Sequence, residues 1–229
     1  MLTAIALTPS APVLVPELAG AASQEVTAVR EGALRAARAL PDRWIAIGVG
    51  ADDVTLGPDV RGTFAGYGAD VPVALGPDAT AAPVALPLCA LFAGWLRDQV
   101  NLRARVQVRV LDGSTPAAAA LERGRALRTE IDQAGEPIGV LIVADGALTL
   151  TQAAPGGYDD SAEEVQRRLD DALGTADVSA LRDTPDAVSG RVAYQVLAGL
   201  AGENHWSATE FVRDAPYGVG YFAGVWTPA

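Results

Sequence analysis

The chain has 229 residues, half of them hydrophobic, and a formal net charge of -11. That acidity, with a pI near 4.5, excludes a surface that attracts nucleic acid or anionic membrane by charge. A lone cysteine, Cys89, leaves no internal disulfide and fits a reducing cytoplasm, and no apolar run approaches the roughly 20 residues of a membrane span.

The opening residues predict a buried strand over Leu2 to Ala6, followed by the loop "LTPSAPVLVPEL", in which Pro9, Pro12 and Pro16 stiffen the backbone around Ser10. Val26, Val29, Ala33, Leu34 and Ala37 recur at helical spacing, which predicts a helix over residues 21–40, ended by Pro41. "RWIAIGVG" (43–50) reads as a buried strand running into a glycine turn, "DVPVAL" as a weaker strand, and "PLCALFAGWLRDQV" as a buried helix that places Cys89 in the core.

"RVQVRVL" (105–111) alternates, so it has one wetter face, and it leads into "DGSTP", where Ser114 or Thr115 can cap a helix. "IGVLIVADG" is the most apolar strand of all. After a loop, Ser161 and Glu164 stand at capping-box spacing before a helix to Leu173, and a further helix covers 187–201. "SATEFVRDA" and "GVGYFAGVW" close the chain as an expected antiparallel strand pair, with Tyr217, Tyr221, Phe222 and Trp226 packing on the sheet.

Strands alternating with helices predict one α/β domain over 1–229, with a mainly parallel or mixed central sheet flanked by helices on both faces. In such sheets ligands bind beyond the C-terminal strand ends. The candidate crevice residues are therefore Ser10, Gly48, Gly50, Asp52, Asp112, Asp145 and Gly146, with His205 as the lone imidazole. The same aspartates and glycines serve equally well as turn formers and helix caps.

Sharper motifs fail. "GVGADD" has Asp53 where a dinucleotide fingerprint needs its third glycine, and no phosphate loop or nucleophile elbow occurs. A Ser10, His205 and aspartate triad and an oxygen-rich metal site built from the aspartates remain as weaker alternatives.

The opening "LTPSAPVLVPELAG", the closing "RDAPYGVGYFAGVW" and, between them, "IGVG" and "VADGALTLTQAAPGGYD" resemble, in order, the B-subunit-like family of class III extradiol ring-cleavage dioxygenases, which also takes in the Memo-type proteins. The resemblance spans nearly the whole chain and implies that family's fold. Its active members hold Fe(II) through two histidines and a carboxylate. Carried onto this sequence, the first histidine falls on Ser10, the second within Val49 to Ala51, and the acid/base histidine on Leu148. The carboxylate ligand belongs among Glu203, Glu210 and Asp214.

With the imidazole positions vacant, the resemblance implies a member that lacks the iron cofactor. Such a chain would retain a crevice for a small molecule or surfaces for protein association. The alternative is an enzyme of altered, non-dioxygenase chemistry using Ser10 and the strand-end aspartates. A mean hydropathy of +0.21 adds the expectation of a homo-oligomer.

Overall fold

The computed structural model describes residues 1–229, with the side chains of residues 21 and 22 outside the described ones. Its strands are β1 (Leu2–Thr8), β2 (Arg43–Gly50), β3 (Val54–Leu56), β4 (Arg61–Thr63), β5 (Pro72–Ala74), β6 (Arg105–Asp112), β7 (Ile138–Val143), β8 (Trp206–Asp214) and β9 (Tyr221–Pro228). The helices are α1 (Pro16–Ala19), α2 (Thr27–Ala37), α3 (Leu88–Val100), α4 (Ala117–Gln133), α5 (Ala162–Thr175), α6 (Val178–Arg182) and α7 (Arg191–Ala201). Seven strands form one mixed sheet in the order β3-β6-β2-β7-β1-β9-β8, and β4 pairs with β5 in a separate hairpin.

The four strands β6, β2, β7 and β1 run parallel, while β3 and β9 run against their neighbours. The alternation of side chains decides which face each residue covers. Ala4 and Ala6 of β1, Trp44 and Ala46 of β2, and Leu141 and Val143 of β7 face one core, beneath α2 and α3. Ile5, Leu7, Ile45, Ile47, Val140 and Ile142 face the other, beneath α4, α5 and α7. All six residues of β7 are buried, as a central strand covered on both faces requires.

The chain moves outward from β1 to β2 to β6 through helices on one face, then returns through α4 on the other face to insert β7 between β2 and β1. Strand β7 is therefore the point where the direction of winding reverses, and crevices in such sheets open beside that strand.

Several element boundaries differ from the sequence expectation. Strand β1 continues through Thr8, so the stiff loop begins at Pro9. The helix expected over 21–40 starts later than expected: Gly20–Ser23 form a 3-10 turn, and α2 runs only from Thr27 to Ala37. Neither Ser114 nor Thr115 caps α4, because the Ser114 hydroxyl and N–H both donate to Asp112 Oδ1 at 2.7 Å. Ser161 likewise donates to Asp159 rather than capping α5, and Glu164 is drawn away by Arg167 and Arg168. The helix expected from Ala187 starts at Arg191 because the N–H groups of Ser189 and Gly190 donate to the carbonyls of Gly146 and Asp145.

Helices α4 and α7 touch backbone to backbone. A Cβ on Gly124 would stand 2.2 Å from the Val196 carbonyl oxygen, and one on Gly199 would stand 2.1 Å from that of Leu121. No flexible side chain is available to give way. Gly124→Ala is expected to push α7 off the sheet and destabilise the protein by about 1–3 kcal/mol, read as a lower urea midpoint.

Candidate active site at the strand ends

Two candidates come together at the C-terminal end of β7. Ser10, after β1, donates its backbone N–H to Asp145 Oδ1 at 2.7 Å. Asp145 follows the fully buried β7 and is itself only partly exposed. Burial pushes its carboxyl from an ordinary 3.8 up to about 6, against the downward pull of the Ser10 N–H.

Around this pair lie Gly146, a third candidate, and groups that the sequence reading did not single out as site residues, among them Gly220, Tyr194 and Gln166. Gly146 and Gly220 exchange backbone hydrogen bonds with the facing segment, Gly146 N–H to the Gly220 carbonyl and Gly220 N–H to that of Ala147. This pairing brings Tyr221, 4% exposed, beside Asp145, and burial and that carboxylate raise its hydroxyl pKa. Tyr194 on α7 donates its hydroxyl to the Ala144 carbonyl at 2.9 Å. Gln166 fills the space over both glycines, since a Cβ on Gly146 would meet its Oε1 at 2.0 Å and one on Gly220 its Cδ at 2.1 Å.

One signal for Gln166 was present in the sequence. It is a polar residue within the apolar stripe of α5, between Ala162 and Leu169. Tyr221 carried none beyond its place in an aromatic strand. Tyr217, four residues before it, is 42% exposed and holds φ at 63°, a left-handed conformation that disfavours bulky residues. Its hydroxyl meets Glu25, which raises its pKa.

The other candidates are placed differently. Gly48 is where α3 closes on the sheet, with an added Cβ only 2.3 Å from Cys89 Cβ, and Gly50 is closed off by Val110. Cys89 is buried as expected, and that burial pushes its thiol up to about 11. Asp112 holds a local turn through Ser114, which keeps its carboxyl below the ordinary range. Its N–H donates to Asp53, which is clamped by Arg123 through two bonds of 2.7 Å. Asp52 is exposed on the same turn.

His205 stands at the far edge of the sheet. It precedes β8, whose Trp206 pairs with Pro228, and β9 runs antiparallel to β1. The exposed imidazole is therefore separated from Ser10 by the length of β1, about 20 Å. This placement corrects its assignment to the crevice and breaks up the Ser10, His205 and aspartate triad.

The resemblance implies Fe(II), so the donor set matters. Ser10 offers a hydroxyl, Val49 to Ala51 and Leu148 offer no ligand side chain, and Asp145 is the carboxylate at hand. Among the described residues no three His, Cys, Asp or Glu side chains gather as a metal site. A facial site of two imidazoles and a carboxylate does not fit these residues.

Comparisons with known proteins bear on the fold alone. The structure of an uncharacterized protein of Escherichia coli K12, JW3007, is similar over 98% of this chain and 99% of that one, with a TM-score of 0.56 and 12% sequence identity. No family model matches the chain, and no curated protein matches it. Among the described residues no helix is long and apolar enough to cross a membrane.

The Asp145 carboxyl makes a pH-dependent contribution with a definite sign. The folded chain holds this proton up to about pH 6, whereas the unfolded chain releases it near 3.8, so this group costs stability as pH rises through that window. Asp145→Asn keeps an acceptor for the Ser10 N–H and carries no charge. It is expected to be more stable than the parent at pH 7.5, by up to about 3 kcal/mol, with the difference closing by pH 4 in urea unfolding.

Proposed function

We propose that this chain is a non-catalytic relative of the class III extradiol dioxygenases, in which the iron site has given way to internal hydrogen bonding. The observation that carries this reading is the Ser10 to Asp145 bond. At the position matching the family's first iron-binding histidine, the loop turns a backbone N–H onto the nearby carboxylate. The close approach of Val110 to Gly50 also supports it, because strand β2 presents packing rather than a ligand at its end. On this reading the chain serves a small molecule at the strand edge that carries Ser10 and Asp145, or a partner protein on its outer surfaces.

A second reading, an enzyme of non-dioxygenase chemistry, draws on the Asp145 carboxyl that titrates at about 6. It is the weaker of the two. Asp145 accepts from the Ser10 backbone rather than from its hydroxyl, so the hydroxyl lacks the base that would activate it. The reading also assigns the chain to the cytoplasm, where its single cysteine stays reduced.

Purification under anaerobic conditions with Fe(II), Mn(II) and Zn(II) supplied is expected to yield protein with far less than one metal per chain by mass spectrometry. Catechols are expected to remain intact, with no oxygen consumed. Near-stoichiometric metal would overturn the proposal. The mean hydropathy of +0.21 supports self-association. Size-exclusion chromatography with light scattering is therefore expected to read a mass well above 23.5 kDa.

A further inference from the structure

Helix α5 carries a second carboxylate that the strand-end site does not use. Asp170 is 9% exposed, one helical turn beyond Gln166 on the same face. The Gln166 carboxamide is fixed at both ends: its Oε1 accepts the Ala147 N–H at 2.8 Å, and its Nε2 donates to Asp170 Oδ1 at 2.8 Å. Asp170 Oδ2 has no hydrogen-bond partner among the described residues, yet no enclosed side-chain atom there is left unpaired. Oδ2 therefore reaches open space, and that space is a cleft of about 450 Å³ between α5, the segment after β7 and the end of β8.

Arg167 and Arg213 line this cleft too, but neither forms an ion pair with Asp170 among the described residues. Arg213 is spent on Glu210 and Asp171, and Arg167 on Glu164 and Asp171. Arg168, too, pairs with Glu164. Glu163 lines the cleft with no ion pair of its own among the described residues. Five carboxylates (Glu163, Glu164, Asp170, Asp171 and Glu210) thus share three guanidiniums, and the most buried of the five has none. Burial pushes the Asp170 carboxyl up to about 6; Gln166 and Arg213 pull down, and Glu210 and Asp171 push further up. A buried carboxylate without a counter-charge costs free energy that an entering cation recovers.

We propose that this cleft binds a protonated primary amine on a short aliphatic chain, with Asp170 Oδ2 as the anchor for the ammonium group. Thr151 and Glu163 supply further acceptors for a group with three donors, and Leu150 and Ala215 supply an apolar wall for the carbon chain. A quaternary ammonium is disfavoured, because no aromatic side chain lines the cleft to form a cage. A hard divalent cation is disfavoured, because the described residues gather no three ligating side chains.

The test is isothermal titration of the full chain at pH 7.5 with 1,4-diaminobutane as the probe. The neutral 1,4-butanediol and calcium chloride serve as parallel titrants. Saturable binding of the diamine is expected, with no binding of the diol. Asp170→Asn retains an acceptor for Gln166 and is expected to weaken the diamine at least tenfold. Asp59→Asn, which removes one exposed negative charge elsewhere on the chain, is expected to leave it unchanged. Equal weakening by both variants, equal binding of the diol, calcium binding that displaces the diamine, or no saturable binding at all would each overturn the proposal. Circular dichroism of Asp170→Asn is expected to match the parent, which separates lost binding from lost folding.

Discussion

Strand β7 is apolar along its whole length and must be covered on both faces, and the rest of the fold answers to that requirement. Helices α2 and α3 close one face, and α4, α5 and α7 close the other. To put β7 at the centre, the chain winds outward through β2 and β6 and then returns, so the direction of winding reverses beside it. The glycine contacts follow from the same demand for close cover. Gly48 lets α3 down onto β2, and the Gly124 and Gly199 crossing lets α7 lie against α4 while it reaches the end of β7.

The same burial shapes the chemistry. A strand covered on both faces delivers the residues just after it into a desolvated place, and here the second of them is Asp145. Its charge is opposed by burial and supported by the Ser10 N–H, while the carbonyls around it are taken up by Gly190, Ser189 and Tyr194. Polar groups at this edge are largely satisfied by one another. Such an arrangement holds loops in place, and it leaves few free donors or acceptors for a reacting molecule.

Gln166 ties this edge to the cleft around Asp170. One end of its carboxamide holds the segment that follows Asp145, and the other holds the second buried carboxylate. Both carboxyls sit above the ordinary acid range for the same cause, burial, and neither receives a guanidinium hydrogen bond. The exposed Glu164 behaves in the opposite way: Arg167 and Arg168 hold it down to about 2.

The α/β class, the principal strands and the helices that cover them were legible in the amino-acid sequence, because two-sided burial writes long apolar runs and one-sided burial writes helical periodicity. The edge carrying Ser10 and Asp145 was legible for the same reason, since both follow apolar strands. The caps were not: Ser114 and Ser161 stand at capping spacing, yet each has a nearer acceptor in Asp112 or Asp159, and local hydrogen bonds of similar strength are decided by backbone geometry. Nor was the place of His205, because only the pairing of β8 with β9, and of β9 against β1, sends it to the opposite edge. The sequence by itself determined which segments are apolar enough to be buried and which residues follow them. Tertiary structure alone decided which of those residues meet, because strand order, direction and register join positions far apart in the chain, and no local pattern records that choice.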